Sequence, residues 1–268
     1  MKKLLILSVS IFTFSVASAQ KEQVEKAMQE KYMKEYGNDG MAKLQDFMAN
    51  MSNAETRPEY KFPISMTMRI TDYDKGVKKE PTDIKYHINA TEETFAFVGK
   101  ENKSGNKEMV IVYDNKNNAM VMLDEQKKSY MAMNVNAFMS AEMQARKAQG
   151  GTKGTGNLKC EKSGKTKSIQ GYLCEEYICI DKDRDTKSEI WITNKIPVNI
   201  AKASKGNPIA AYLNGIDGVD GMNGMMMEGM FYEKGQLEAL IEITELNEKA
   251  NHSIILSSYK KTDMFGGR

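Results

Sequence analysis

Histidine and tryptophan are almost missing from this chain: 268 residues contain two histidines, His87 and His252, and one tryptophan, Trp191. Imidazole chemistry is therefore limited to two positions far apart in sequence. His87 shares the polar side of its strand pattern with Asp83, Lys85 and Asn89, and His252 opens the last strand, so both read as lone surface histidines. No G-x-S-x-G elbow, P-loop, H-E-x-x-H or C-x-x-C is present. Carboxylates abound, but no pair stands out. The chain reads as non-enzymatic, with no cofactor. Five prolines are too few to make a collagen helix of the glycines at 215, 218, 221 and 224.

An excess of either charge is lacking too. Lys2 and Lys3, the apolar stretch Leu4–Val16 and Ala17-Ser18-Ala19 have the layout of an export signal cleaved before Gln20. Removing 19 of 268 residues leaves 249 and lowers Lys+Arg from 38 to 36, equal to the 36 Asp+Glu. A neutral chain with interleaved charges offers no footprint for nucleic acid. No second apolar run approaches the roughly 20 residues of a spanning helix. The expectation is a bacterial protein, periplasmic or secreted and not transmembrane after cleavage, with no cysteine at the cleavage point for lipid attachment.

Three cysteines, Cys160, Cys174 and Cys179, allow at most one internal bridge in an oxidising compartment. Cys174 and Cys179 lie an odd number of residues apart on one strand, about 16 Å by the rise per residue, and face opposite ways. A bridge must use Cys160. A hairpin loop centred on Lys167 predicts the pair Cys160 and Cys174.

Residues 20–56 carry helical periodicity, Val24, Met28 and Tyr32 first and Met41, Leu44, Met48 and Met51 after a break at Gly37–Gly40. The period then becomes two. Tyr60, Phe62, Ile64, Met66, Met68 and Ile70 alternate with polar residues, and Pro63 marks an edge or bulged strand. Ile84, Tyr86 and Ile88 continue the pattern, and further short strands follow to Met133. Asn134–Ala148 returns to helical spacing, 149–157 is a flexible linker, and 214–229 is a Gly/Met-rich loop. Strands resume from Leu158 to Thr193 and from Met230 to Tyr259. About twelve antiparallel strands with a few amphipathic helices predict a mainly β, α+β fold over residues 57–268. It is a curved antiparallel sheet, a half-open barrel, lidded by helices.

The run Gly164-Lys165-Thr166-Lys167-Ser168-Ile169-Gln170-Gly171-Tyr172-Leu173-Cys174, with Tyr177 and then Glu189-Ile190-Trp191-Ile192-Thr193, resembles an uncharacterised family of exported bacterial envelope proteins, a domain of unknown function. The hairpin Tyr113-Asp114 to Tyr130-Met131 is similar as well. That family in turn resembles the periplasmic lipoprotein-localisation carriers. The resemblance implies a curved half-barrel holding acyl chains in a diffuse apolar cavity, and it transfers no individual binding residue. Cys160, Cys179 and the Met-rich loop depart from the family's pattern.

Methionine is the outlier, 21 of 268. Met222, Met225, Met226, Met227 and Met230 cluster within nine residues. Soft thioethers suit Cu(I), yet no histidine or cysteine lies near, and methionine also fills adaptable apolar surfaces. Copper binding is the alternative reading, and a structural module with a filled core is another. Asp181, Asp183 and Asp185 start like a calcium loop but lack its later glycine and glutamate, so they read as a solvated turn. The main expectation is an apolar ligand, a lipid, acyl chain or acylated protein, held in a cavity lined by Phe62, Ile64, Met66, Met68, Tyr86, Phe95, Phe97 and Trp191.

Overall fold

The computed structural model describes residues 26, 29–30, 32–52, 54–100, 108–136, 158–196 and 224–262. The export signal (1–19), the linker (149–157), most of the helical pattern 134–148 and residues 214–223 lie outside the described residues. Among those described, helical residues 32–36 meet a 3-10 turn, Gly37–Asp39, and then α1, Gly40–Ser52. The chain doubles back so tightly that a Cβ on Gly40 would sit 2.6 Å from the Tyr32 carbonyl.

Fifteen strands follow in chain order among the described residues. They are β1 (Glu59–Phe62), β2 (Ile64–Asp74), β3 (Val77–Lys78), β4 (Thr82–Asn89), β5 (Thr94–Lys100), β6 (Glu108–Asp114), β7 (Ala119–Asp124) and β8 (Ser129–Asn134). The second group is β9 (Leu158–Ile169), β10 (Tyr172–Asp181), β11 (Thr186–Thr193), β12 (Met225–Glu233), β13 (Gln236–Asn247), β14 (His252–Ile255) and β15 (Lys260–Lys261). One curved sheet holds thirteen of them and does not close into a barrel. Its spatial order is β15-β8-β7-β6-β5-β4-β2-β13-β12-β11-β10-β9, with β3 beside β2. Two meanders thus meet at the β2–β13 seam. The N-terminal wing runs from β2 to β8 and the C-terminal wing from β13 back to β9. The described pairings are antiparallel except β15 on β8.

Pro63 divides what the alternation predicts as one strand. Proline has no N–H to give the ladder. The chain leaves the sheet there, and β1 pairs with β14 as a separate two-stranded ribbon. Tyr60 and Phe62 on β1, with Ile254 and Leu256, pack on Val110, Val112, Val121 and Leu123 on the outer face of the N-terminal wing. Phe62 is therefore not part of the lining expected for Met66 and Tyr86. The end of the expected Gly/Met-rich loop 214–229 is strand. Met225 begins β12, and Met225, Met226 and Met227 are buried strand residues.

The disulfide joins Cys160 to Cys179, S–S 2.03 Å, and corrects the expected Cys160–Cys174 pair. The hairpin turn is at Gln170–Gly171, φ 51° and 81°, not at Lys167. Positive φ at both central residues is the type I′ turn that matches strand twist. It sets Cys174 opposite Lys167. Farther along, Ser163, Gly164 and Lys165 bulge opposite the single residue Glu176, and this shift brings Cys160 opposite Cys179. Cys174 is free, buried, and on the other side of the strand, and burial pushes its thiol pKa up.

Candidate functional site

The inner face of the N-terminal wing is built by period two. Register aligns Met66, Tyr86, Phe97, Ile111, Met122 and Met131 in one row across β2, β4, β5, β6, β7 and β8. The adjacent row is Ile64, Ile88, Phe95, Tyr113, Met120 and Met133. Four rings form a floor. Tyr86 stacks on Phe95 with centroids 5.4 Å apart, and Phe97 and Tyr113 stack at 6.3 Å. Methionines flank it on both sides, Met66 and Met68 from β2 and Met120, Met122, Met131 and Met133 from β7 and β8. The expected Met66, Met68, Tyr86, Phe95 and Phe97 are all brought together here, and Ile64 is partly buried at the margin. The sequence reasoning missed Ile111 and Tyr113, although the alternation of Met109, Ile111 and Tyr113 was readable.

Helix α1 packs at the β8 end of this face. Phe47 touches the apolar cluster, and Leu44 is buried. Tyr86 has 0% of its surface exposed, and its hydroxyl has no hydrogen-bond partner among the described residues. Burial drives its pKa far above the ordinary tyrosine value, so the hydroxyl keeps its proton and can donate. A buried unpaired hydroxyl costs roughly 1–3 kcal/mol. The face therefore combines adaptable thioethers, aromatic area and one donor awaiting an acceptor.

Trp191 is placed elsewhere. It pairs with Glu176 on one side and Glu228 on the other, which puts it on the outer face of the C-terminal wing. Lys167 Nζ lies 4.3 Å from its ring centroid and 2.6 Å from Glu228 Oε1. The five-methionine cluster is dispersed too. Met226 pairs with Ile192 and Met225 with Thr193, so consecutive methionines face opposite ways. Met230 opposes Glu189, and Met222 lies outside the described residues. Asp181 caps the β10–β11 turn, its Oδ1 accepting from the backbone N–H of Asp183 at 3.0 Å. Among the described residues no group of three or more His, Cys, Asp or Glu gathers to hold a metal, and no helix is long and apolar enough to cross a membrane.

The two histidines, expected to be separate, stack on each other with centroids 3.8 Å apart and planes 14° apart. Phe62 contacts both rings. They tie β4 to the β1–β14 ribbon. Burial, then His252 and Lys85, lower the His87 pKa to about 4.

Fold and face together define a curved antiparallel sheet with an apolar inner face that a helix meets at β8. The chain belongs to the family of a domain of unknown function, DUF4412, which matches residues 62–250. No curated protein matches it. The similar solved structures include three of interest. PNGF-II in a P21 crystal form is 15% identical over 74% of this chain and 30% of its own, TM-score 0.36. An uncharacterized conserved protein from Thermus thermophilus is 8% identical over 79% of this chain and 88% of its own, TM-score 0.36. MucB in complex with MucA(peri) is 8% identical over 77% and 54%, TM-score 0.36. The chain spans about a third of the length of PNGF-II.

Proposed function

We propose that this is a non-enzymatic protein of the bacterial envelope, periplasmic or secreted, that binds an apolar ligand on the inner face of the N-terminal wing. The ligand is a lipid, a free acyl chain or the acyl group of a lipid-modified protein, and α1 is the lid over it. The observation that carries this reading is the aromatic floor walled by methionine, with the Tyr86 hydroxyl unpartnered at its centre. A core built only for stability gains nothing from a polar atom it cannot satisfy. Unbranched thioether side chains repack around chains of different length and unsaturation. Each methylene transferred to such a face contributes about 0.8 kcal/mol, so a chain of ordinary length repays lifting the lid.

Native mass spectrometry of the protein purified from its own envelope tests this. A co-purifying lipid or acyl species is expected. If the preparation is ligand-free, and a fluorescent fatty-acid ester shows no saturable binding displaced by Met66→Lys or Phe97→Asp, the face is only a packed core and the carrier reading fails.

A further inference from the structure

We propose that the inner face selects a neutral acyl group, an ester or amide, over a free fatty-acid anion, and that the Tyr86 hydroxyl donates to its carbonyl oxygen. The inference rests on the carrier reading above and names the headgroup chemistry of the same site.

Electrostatics sets the preference. In the two register rows that form the face, the described side chains include no lysine and no arginine. Charged residues that continue these strands on the same side include Asp72 on β2, two positions beyond Ile70, and Asp124 on β7, two beyond Met122, whose cation, Lys127 at 3.9 Å, is exposed in the β7–β8 turn. The nearby cations point the other way. Arg69 pairs with Asp83 at 2.7 Å on the outer face, and Lys85 shares that face. On α1, Leu44 and Phe47 turn inward while Lys43 is exposed. An ionised carboxylate on this floor would be stripped of water with no counter-charge, the costliest way to bury a polar group. An ester or amide carbonyl needs one donor and no cation. Tyr86 is one donor with no competing partner. Its ring is fixed by Phe95 at 5.4 Å and Phe97 at 6.5 Å, so the hydroxyl is held at one place on the floor. That fixed donor sets where the carbonyl stops, and the alkyl chain then runs among the methionines on either side.

Three probes built on a twelve-carbon chain separate this proposal from the reading beneath it: dodecane, methyl laurate and laurate, measured on delipidated wild-type protein and on Tyr86→Phe at pH 7.5 by retention of radiolabelled probe. Matched thermal melts first establish that the variant folds. The expected result is saturable binding of dodecane and methyl laurate, with laurate at least tenfold weaker than the ester. Tyr86→Phe is expected to weaken methyl laurate about fivefold, the range of one neutral hydrogen bond, and to leave dodecane unchanged. If laurate binds as tightly as its ester, or the substitution weakens dodecane as much as the ester or weakens the ester less than twofold, the headgroup proposal is overturned while the apolar site stands. If none of the three binds the wild type, the carrier reading itself fails, and the headgroup proposal fails with it.

Discussion

The two wings of the sheet solve the same problem differently. The N-terminal wing is packed on both sides, with α1 against its inner face at β8 and the β1–β14 ribbon on its outer face. Its strands accordingly run nearly continuously apolar, and in β7 the residues from Ala119 to Leu123 are all buried. The outer face of the C-terminal wing is covered instead by the wing's own β9–β10 hairpin, and Glu176 and Trp191 there are buried. There the row Glu176, Trp191, Glu228, Glu242 and Arg69 crosses the sheet, tied by Lys165, Lys167 and Asp83. Partly exposed ion pairs contribute little singly, so this wing relies on other devices as well. A disulfide staples its edge strand, and the β9–β10 tip reaches past β11 and β12 to β13. In that contact Gln170 Nε2 donates to the Thr244 carbonyl at 2.9 Å, and the Tyr172 hydroxyl donates to Glu248. The difference teaches that the adaptable apolar surface sits between packed layers, and the covalent restraint on the most exposed edge strand, β9.

The contrast breaks most sharply at Phe95. It is fully buried in the doubly covered wing and touches three other aromatic rings. Phe95→Ala is expected to lower stability by about 3–5 kcal/mol, read as a shift of the urea midpoint with little change in slope. A loss under about 1 kcal/mol would mean that the floor is loosely packed and already holds a cavity.

The second test removes the staple. Cys160 and Cys179 close a loop of 19 residues, for which the loop-entropy estimate is about 3 kcal/mol. The double change Cys160→Ser and Cys179→Ser is expected to cost that much and to raise amide exchange in β9 and β10 well before β5 or β6. Uniform loosening of both wings would show that they unfold as one unit. Cys174→Ser is a control, since that thiol has no bridge to lose.

The smallest expected effect concerns the histidine pair. The folded His87 pKa of about 4 lies below the ordinary 6.5, so between these values the unfolded chain binds the extra proton. Stability is therefore fully present above pH 6.5 and is lost as pH falls toward 4. The expected loss is about 2 kcal/mol between pH 7 and 5. The charges acting on the pair are Lys85 on β4 and Glu125 in the β7–β8 turn. Glu125 moderates His252 while Lys85 adds to the penalty at His87. His87→Phe should flatten this acid limb. An unchanged slope in the variant would locate the titration elsewhere.

Much of the inner face was legible because alternation is local: each of Met66, Met68, Tyr86, Phe95 and Phe97 announces its side of the strand by its two neighbours. What was not legible is long-range. Nothing near Phe62 says that its strand will pair with His252–Ile255, and only Pro63 hints that it must leave the sheet. Register is equally hidden. Reading Lys167 as the hairpin centre misplaced Cys174, because the turn lies at Gln170–Gly171 and a bulge at Ser163–Lys165 shifts everything beyond it. His87 looked exposed beside Asp83 and Lys85, since the ribbon that buries it comes from both ends of the described chain. Tyr86 was readable as apolar lining, but an unpaired hydroxyl shows only when its neighbours are known.

The β1–β14 pairing also sets an order of events during folding. Glu59 meets Ile255 across nearly the whole described chain, a contact with a large loop-closure penalty that forms late. Until residues 252–262 are available, Val110, Val112, Val121 and Leu123 have no ribbon over them, and β8 lacks its parallel neighbour β15. A chain threaded through a membrane from its N-terminus would thus leave the first wing unfinished until the final strands emerged. In any N-to-C order of emergence the wing locks only when the last strands arrive.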